Sequence, residues 1–206
     1  MKIHDISPPV SVNTAVWPGD VPLSVHRTLS RERGDAVNVT EIRGTVHLGA
    51  HADGAMHFLD AGRDIGRAPL EPYLGPALVV DVGAVPEVRP EHLAAVPWAR
   101  TRRLLIRTTR AFRPAQFDEN FPCLADGAGE FLASRGIVLV GVDVPSVDAF
   151  RSRTMANHVA LLNGGVAILE NLDLSHVEPG EYELIALPLR LMDVDASPVR
   201  AVLVER

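Results

Sequence analysis

The chain is organised around one short stretch, His47-Leu48-Gly49-Ala50-His51-Ala52-Asp53-Gly54-Ala55-Met56-His57. The stretch holds three histidines and one aspartate, and two glycines interrupt it. Neutral imidazole nitrogen and carboxylate oxygen are the ligands that borderline cations such as zinc take in proteins. Four such side chains in so short a segment predict a metal site.

The spacing of these residues indicates a bent segment. A straight strand rises about 3.3 Å per residue, which would place the Cα atoms of His47 and His51 roughly 13 Å apart, too far to share one ion comfortably. A regular helix would bring them one turn apart, but Gly49 and Gly54 are poor helix-interior residues. We therefore predict a strand that kinks at Gly49 and delivers its ligands from a turn.

Three interpretations of the stretch compete. Its histidines could be ordinary polar residues of a loop, or they could form a structural zinc site. A structural site would normally complete its tetrahedron with cysteines, and the chain has only Cys123. A catalytic site with open or water-filled positions is the interpretation that the residues favour.

Length and composition limit the remaining possibilities. A chain of 206 residues with 47% hydrophobic residues suits one domain, residues 1–206, with a sizeable core. A formal net charge of -6 provides no basic field, so we expect no nucleic-acid partner. The N-terminal residues lack the apolar run of a signal peptide, and no stretch approaches the length of a membrane span. The expected location is the cytoplasm, with no membrane association.

Alternating strands and helices predict an α/β fold with a mixed sheet. Residues 37–48 alternate loosely and predict a strand that feeds into the histidine stretch. Apolar runs predict strands at 76–82, buried on both faces, and at 103–108, 137–143 and 166–169, whereas helices are expected at 90–96, 127–135 and 155–164. The closing segments 182–191 and 198–204 are predicted strands with no helix between them, so part of the sheet should be antiparallel.

A second group of candidate ligands lies in the second half of the chain. A helix that turns at Gly164-Gly165 into a returning strand would bring His158, near the helix start, towards Glu170, near the strand end. Both could meet one site, although an isolated histidine or glutamate in such positions is more often solvated. Asp143, Ser146 and Asp148 could also line a site, but their spacing assigns them no role.

Trp17 follows a proline-rich segment that should be extended rather than helical. Its ring could belong to the core or to a subunit contact, or it could form the wall of a pocket for a flat aromatic ligand. The sequence pattern alone leaves both possibilities open.

The histidine stretch is similar to the His-x-Gly-[Thr/Ala]-His-x-Asp-x-Pro-x-His signature of the metal-dependent cyclase-like hydrolases, and most closely to that of the bacterial kynurenine formamidases (arylformamidases). The resemblance extends to four further segments, which together span essentially the whole chain: 17–20, 141–148, 182–189 and 196–203. It implies a swivelling β/β/α domain and a homodimer.

The resemblance also implies a two-zinc centre with five ligands: His47, His51, Asp53, His158 and Glu170. The first three would hold one ion, whereas Asp53 would also reach the second ion, His158 would bind that second ion, and Glu170 would contact both. Manganese or cobalt would fit the same nitrogen and oxygen donors.

The activity that the resemblance implies is hydrolysis of N-formyl-L-kynurenine to L-kynurenine and formate in tryptophan degradation. A metal-activated hydroxide would attack, His57 would be the general acid/base, and Trp17 would face the aromatic substrate. Two alternatives remain: a sibling cyclic-amide hydrolase, such as one that opens isatin, and a non-catalytic protein that binds a metal or ligand.

One position departs from the signature. Ala55, preceded by Gly54, stands where the motif has proline. Proline would fix φ near -65°, so its loss should leave the turn that aims His57 looser by something on the order of 1 kcal/mol.

Overall fold

The computed structural model describes residues 1–108 and 113–205 of the chain. Its thirteen strands and two α-helices follow one another as β1 Lys2–Asp5, β2 Ser24–Leu29, β3 Val39–Arg43, β4 His51–Asp53, β5 Leu74–Asp81, β6 Glu87–Val88, β7 Arg103–Arg107, β8 Cys123–Leu124, α1 Ala128–Ser134, β9 Leu139–Val142, α2 Ala156–Asn163, β10 Ala167–Glu170, β11 Gly180–Ile185, β12 Ala196–Pro198 and β13 Val202–Glu205. Neither helix in these ranges is long and apolar enough to cross a membrane.

Nine of these strands form one mixed sheet in the order β1-β13-β11-β5-β7-β9-β10-β4-β12. The four strands from β5 to β10 in this order run parallel, and the pairs on both sides of them are antiparallel. The predicted α/β class and mixed sheet are therefore confirmed. The closing strands lack helices between them, as predicted, but the predicted strand 198–204 is divided between β12 at one end of the sheet and β13 near the other.

The core lies on both faces of the central strands. Along β7, Leu104 and Ile106 point into one buried cluster and Leu105 into the other. Leu132 of α1 and Leu161 of α2 belong to the same cluster as Leu104, so the two helices cover that face. Each fully buried leucine of this kind stabilises the fold by about 1.5–3 kcal/mol.

The helix-to-strand connection after α2 has the predicted form. The helix ends at Asn163, Gly164 follows as its cap, and β10 returns alongside β9. Predicted helix 127–135 is also confirmed, as Ala128–Ser134, while 90–96 contains only a short 3-10 helix, Pro90–Leu93.

Two strand predictions need correction. The prediction that residues 37–48 run as a strand into the histidine stretch is wrong, because β3 ends at Arg43 and pairs only with β2 in a separate sheet. The chain then turns at Gly49, whose φ of +62° lies in the left-handed region that favours glycine, and enters the main sheet as β4. His51 and Asp53 therefore lie on a strand after the kink rather than on the turn itself.

The second correction concerns β5, which was expected to be buried on both faces. Ala77 and Val79 are buried, but Leu78 and Val80 on the opposite face are only partly covered. The reason is the position of the helical layer, because α2 packs over β10, three strands away.

The turn that carries His57 is well held despite the missing proline. Residues Ala55–His57 form a 3-10 turn, and the amide of Met56 donates to the carbonyl oxygen of Arg63 at 3.0 Å. Gly62 lies against the backbone of Ala55 so closely that a Cβ there would come within 2.3 Å of it. The neighbouring loop thus supports the turn through close backbone packing.

Ala55→Pro should stabilise the protein by about 0.4–1 kcal/mol, because proline restricts the unfolded chain. Ala55 is the first residue of the turn, where its amide donates no hydrogen bond within the described chain, and Gly54 before it is extended with φ -84° and ψ 146°, as a residue before proline prefers. Urea unfolding of the variant and the parent measures the effect. A destabilised variant would show that the turn cannot accept the proline ring.

Candidate metal centre

Three elements bring the predicted ligands together: β4, α2 and β10. The antiparallel pairing of β4 with β10 places His51 directly opposite Glu170. Opposed residues of this kind project on the same face of a sheet, and Nε2 of His51 lies 3.4 Å from Oε2 of Glu170. His158 comes from the covering helix and completes the group, so the structure brings all five predicted ligands to one place.

The Asp53 side chain lies between two sets of ligand atoms. Its Oδ1 is 3.5 Å from Nδ1 of His47 and 3.7 Å from Nε2 of His51. Its Oδ2 is 3.6 Å from Nε2 of His158, which is itself 3.1 Å from Oε1 of Glu170. One carboxylate therefore faces both groups, as a bridging ligand would.

Three buried atoms in this centre lack a hydrogen-bond partner among the described residues: Nε2 of His51 and both side-chain oxygens of Asp53. Leaving a buried polar atom unpaired costs about 1–3 kcal/mol, and more when it is charged. The separations of 3.5–3.7 Å around Asp53 are too long for hydrogen bonds, but ligand atoms about 2.1 Å from a tetrahedral ion lie roughly 3.4 Å from one another. The residues present fit divalent cations.

The outward nitrogen of each candidate histidine ligand is held by an oxygen atom. The three contacts are His51 Nδ1 to the carbonyl oxygen of Gly49 at 2.9 Å, His158 Nδ1 to Oδ2 of Asp148 at 2.6 Å, and His47 Nε2 to Oδ2 of Asp195 at 2.9 Å. Such contacts place the proton on the outward nitrogen and leave the lone pair of the other nitrogen pointing into the centre.

Asp195 is a functional candidate that the sequence did not identify, and Asp148 is one that the sequence named without a role. Asp148 also accepts hydrogen bonds from the backbone amides of Asn157 and His158, so it caps the start of α2 from the loop that leads into this helix. A possible sequence signal was Met155 at the position before the helix. Methionine has no side-chain oxygen that could cap the first amides of α2, so the cap had to come from another residue. Asp195 gave no such signal, because only strand pairing brings it to the site.

Burial and carboxylates compete in setting the protonation of the centre. Burial opposes protonation of His47, but Asp53 and Asp195 outweigh it and raise its pKa to about 9. Burial likewise opposes protonation of His158, and Asp148 with Glu170 raises its pKa to about 10. Protons and cations therefore compete for the same electron pairs, as expected for a metal site.

His57 lies beside this centre at the surface of the cleft. Burial lowers the pKa of His57, although the Asp53 carboxylate opposes the change. Its imidazole is therefore neutral near neutral pH and can accept a proton. Phe58 places its ring centroid 4.1 Å from those of both His57 and His158, and so covers one side of the site.

The ligands open into a cleft of about 830 Å³ that Trp17 and His57 both line. Trp17 packs against Phe150 at a centroid distance of 5.0 Å and against Phe117 at 5.3 Å. It therefore contacts an aromatic cluster and forms part of the wall at the same time. Its predicted contact with substrate stays a prediction.

The metal-free protein should lose stability as the pH rises from about 6.5 to about 10. A group whose pKa is higher in the folded state stabilises the fold fully at pH values below its unfolded-state pKa. This stabilisation is lost as the pH rises through its folded-state pKa. For His47 and His158 the folded values are about 9 and about 10, so the loss should be on the order of a few kcal/mol.

Urea unfolding of chelated and zinc-loaded protein at a series of pH values measures this loss. The zinc-loaded form should not show it, because the cation takes the place of the protons. A chelated protein whose stability stays flat or rises over this range would contradict the described electrostatics.

Comparison with known proteins places this chain in a family. The Cyclase family model matches residues 4–149. The kynurenine formamidase of Bordetella pertussis is 43% identical over 205 residues, covering 99% of this chain and 98% of that protein.

Two solved structures share the fold. One is described as a potential metal-dependent hydrolase with cyclase activity, with a TM-score of 0.84, 27% identity and coverage of 98% of this chain and 96% of that chain. Isatin hydrolase A from Labrenzia aggregata has a TM-score of 0.82 at 22% identity, covers 100% of this chain and 94% of that chain, and shows likeness of fold alone. The matched family model and the identity over nearly the whole length show that the chain belongs to the Cyclase family.

Proposed function

We propose that this protein is an arylformamidase that hydrolyses N-formyl-L-kynurenine to L-kynurenine and formate, a step of tryptophan degradation in the cytoplasm. Its 43% identity to a kynurenine formamidase over 99% of the chain supports this activity. The structural observation that carries the proposal is the buried Asp53 carboxylate between two groups of metal-ligand atoms at an aromatic-walled cleft.

Two zinc ions per chain are the proposed cofactors. His47, His51 and Asp53 would hold one, and Asp53, His158 and Glu170 would hold the other, because these sets bring their ligand atoms within 4.8 Å of one another. Manganese or cobalt would fit the same nitrogen and oxygen atoms. When bound, such cations supply Lewis acidity, which makes water more acidic and polarises a carbonyl oxygen.

The protein's own residues supply proton transfer and orientation. Hydrolysis joins a water oxygen to the formyl carbon and breaks the C–N bond, so the water loses a proton and the departing amine nitrogen gains one. His57 is neutral near neutral pH and lines the cleft, so it can take the first proton and deliver the second. Trp17 and Phe117 offer an apolar wall for the aryl ring.

The alternatives have less support. Isatin hydrolase shares the fold at only 22% identity, about half the identity of the formamidase relative. A non-catalytic binding protein would have no need for a titratable His57 beside a complete set of ligands.

A homodimer is the proposed assembly. The hairpin of β2 and β3 is exposed along its whole length, and it carries apolar side chains such as Val25, 51% exposed, and Ile42, 70% exposed. An isolated two-stranded hairpin is marginally stable in water, so a second copy packed against these side chains would stabilise it. The mass of the protein in solution tests this proposal.

Purified protein should hydrolyse N-formyl-L-kynurenine, lose this activity on chelation and recover it when zinc is returned.

His57→Ala should lower kcat about 10²-fold or more while the bound metal is retained, because the variant loses proton transfer but keeps the metal ligands. His92→Ala, which removes an exposed histidine outside the cleft, is the matched control and should keep full activity.

Absence of turnover with the metal bound would rule out this substrate. Full activity of His57→Ala would contradict the acid/base role while leaving the substrate assignment intact.

A further inference from the structure

Asp195 occupies a position that strand register fixes. It directly precedes β12, which pairs antiparallel with β4 so that Ala196 lies opposite Asp53. Gly54, which directly follows β4, donates its amide hydrogen to the carbonyl oxygen of Asp195 at 2.7 Å. The backbone of Asp195 is thus attached to the start of the turn that carries His57.

The Asp195 carboxylate lies between two imidazoles of different function. Its Oδ2 is 2.9 Å from Nε2 of His47, a candidate metal ligand, and 3.2 Å from Nδ1 of His57. The two rings are 4.3 Å apart at their centroids and tilted by 37°. One oxygen therefore contacts both the metal centre and the proposed acid/base.

The neighbouring Asp193 shows what an ordinary carboxylate of this loop does. Its side chain is 81% exposed and pairs with the guanidinium of Arg67 at 3.0 Å. The Asp195 side chain is 41% exposed, lines the cleft, and turns towards the histidines instead. Its orientation is therefore specific to the site.

We propose that Asp195 is a positioning residue that accepts a hydrogen bond from the Nδ1–H group of His57 and so keeps Nε2 of His57 free to exchange protons in the cleft. This inference rests on the proposed function, in which His57 serves proton transfer. A neutral imidazole carries one proton, and the acceptor beside one nitrogen decides which nitrogen holds it. By contacting His47 as well, Asp195 fixes the distance between the acid/base and the metal centre.

The step affected is departure of the amine. Water has added to the formyl carbon, the C–N bond breaks with its electron pair going to nitrogen, and the proton that His57 took from water passes from Nε2 to that nitrogen. Formic acid and a neutral arylamine result, and the acid releases its proton to the solvent as formate. An aniline must gain this proton to leave, whereas the departure of a 4-nitroaniline depends on it much less, because the nitro-substituted ring stabilises the electron pair on nitrogen.

Asp195→Asn should therefore lower kcat for formanilide 10- to 100-fold, within the range of other orienting partners at metal sites. The loss for 4-nitroformanilide should be several-fold smaller, KM should change less than about twofold, and bound zinc should be unchanged. His57→Ala should likewise lose more kcat on formanilide than on 4-nitroformanilide. Asp193→Asn is the matched control and should behave like the parent protein.

Nitrogen NMR of ¹⁵N-histidine-labelled, zinc-loaded protein at pH 8 gives a test that does not depend on turnover. The His57 signals, assigned by their absence in His57→Ala, should show a protonated Nδ1 in the parent and a shift towards protonated Nε2 in Asp195→Asn. An unchanged tautomer, or equal losses on both formanilides, would overturn the proposal. Loss of one zinc ion from Asp195→Asn would also overturn it, by making Asp195 a metal ligand.

Failure of the proposed function is a separate result. If the parent protein hydrolyses neither formanilides nor N-formyl-L-kynurenine, the arylformamidase assignment fails, while the tautomer measurement still decides whether Asp195 positions His57.

Discussion

The buried carboxylate of Asp53 is the constraint on which the rest of the site depends. The residue is 3% exposed, and within residues 1–108 and 113–205 neither of its side-chain oxygens has a hydrogen-bond partner. A buried charge without compensation is strongly destabilising. The Asp53 carboxylate therefore requires positive charge on both of its sides. Cations would supply that charge, and in their absence protonated His47 and His158 do so, which explains why the pKa values of both are raised.

The sheet supplies the geometry that this carboxylate requires. The short strand β4 lies between β10 and β12, so one neighbour brings Glu170 opposite His51 and the other brings Asp195 beside the His57 turn. The helix α2 adds His158 from above, and Asp148 both caps that helix and holds the ring. Backbone pairing of β4 with its two neighbours thus positions Glu170 and Asp195, and the Asp148 side chain positions His158.

The sequence predicts the parts of the site that are local along the chain. The histidine stretch identifies its own ligands because their chemistry is unusual, and the helix that ends at Gly164 correctly brings His158 towards Glu170. Asp195 could not be found in this way, because its proximity to His57 depends on the register of two strands far apart in sequence. The sequence also extended β3 too far: alternation indicates a strand within 37–48 but does not show that it ends at Arg43.

Zinc binding to the parent protein and to Asp53→Asn tests the central claim most directly. Elemental analysis after zinc titration, with affinities from competition with a chelator, gives both the number of ions and their strength of binding. The account predicts two ions per chain in the parent protein and loss or marked weakening of both in the variant, because one side chain faces both groups. A parent protein that binds no more than one ion, or a variant that keeps two ions with unchanged affinity, would contradict it.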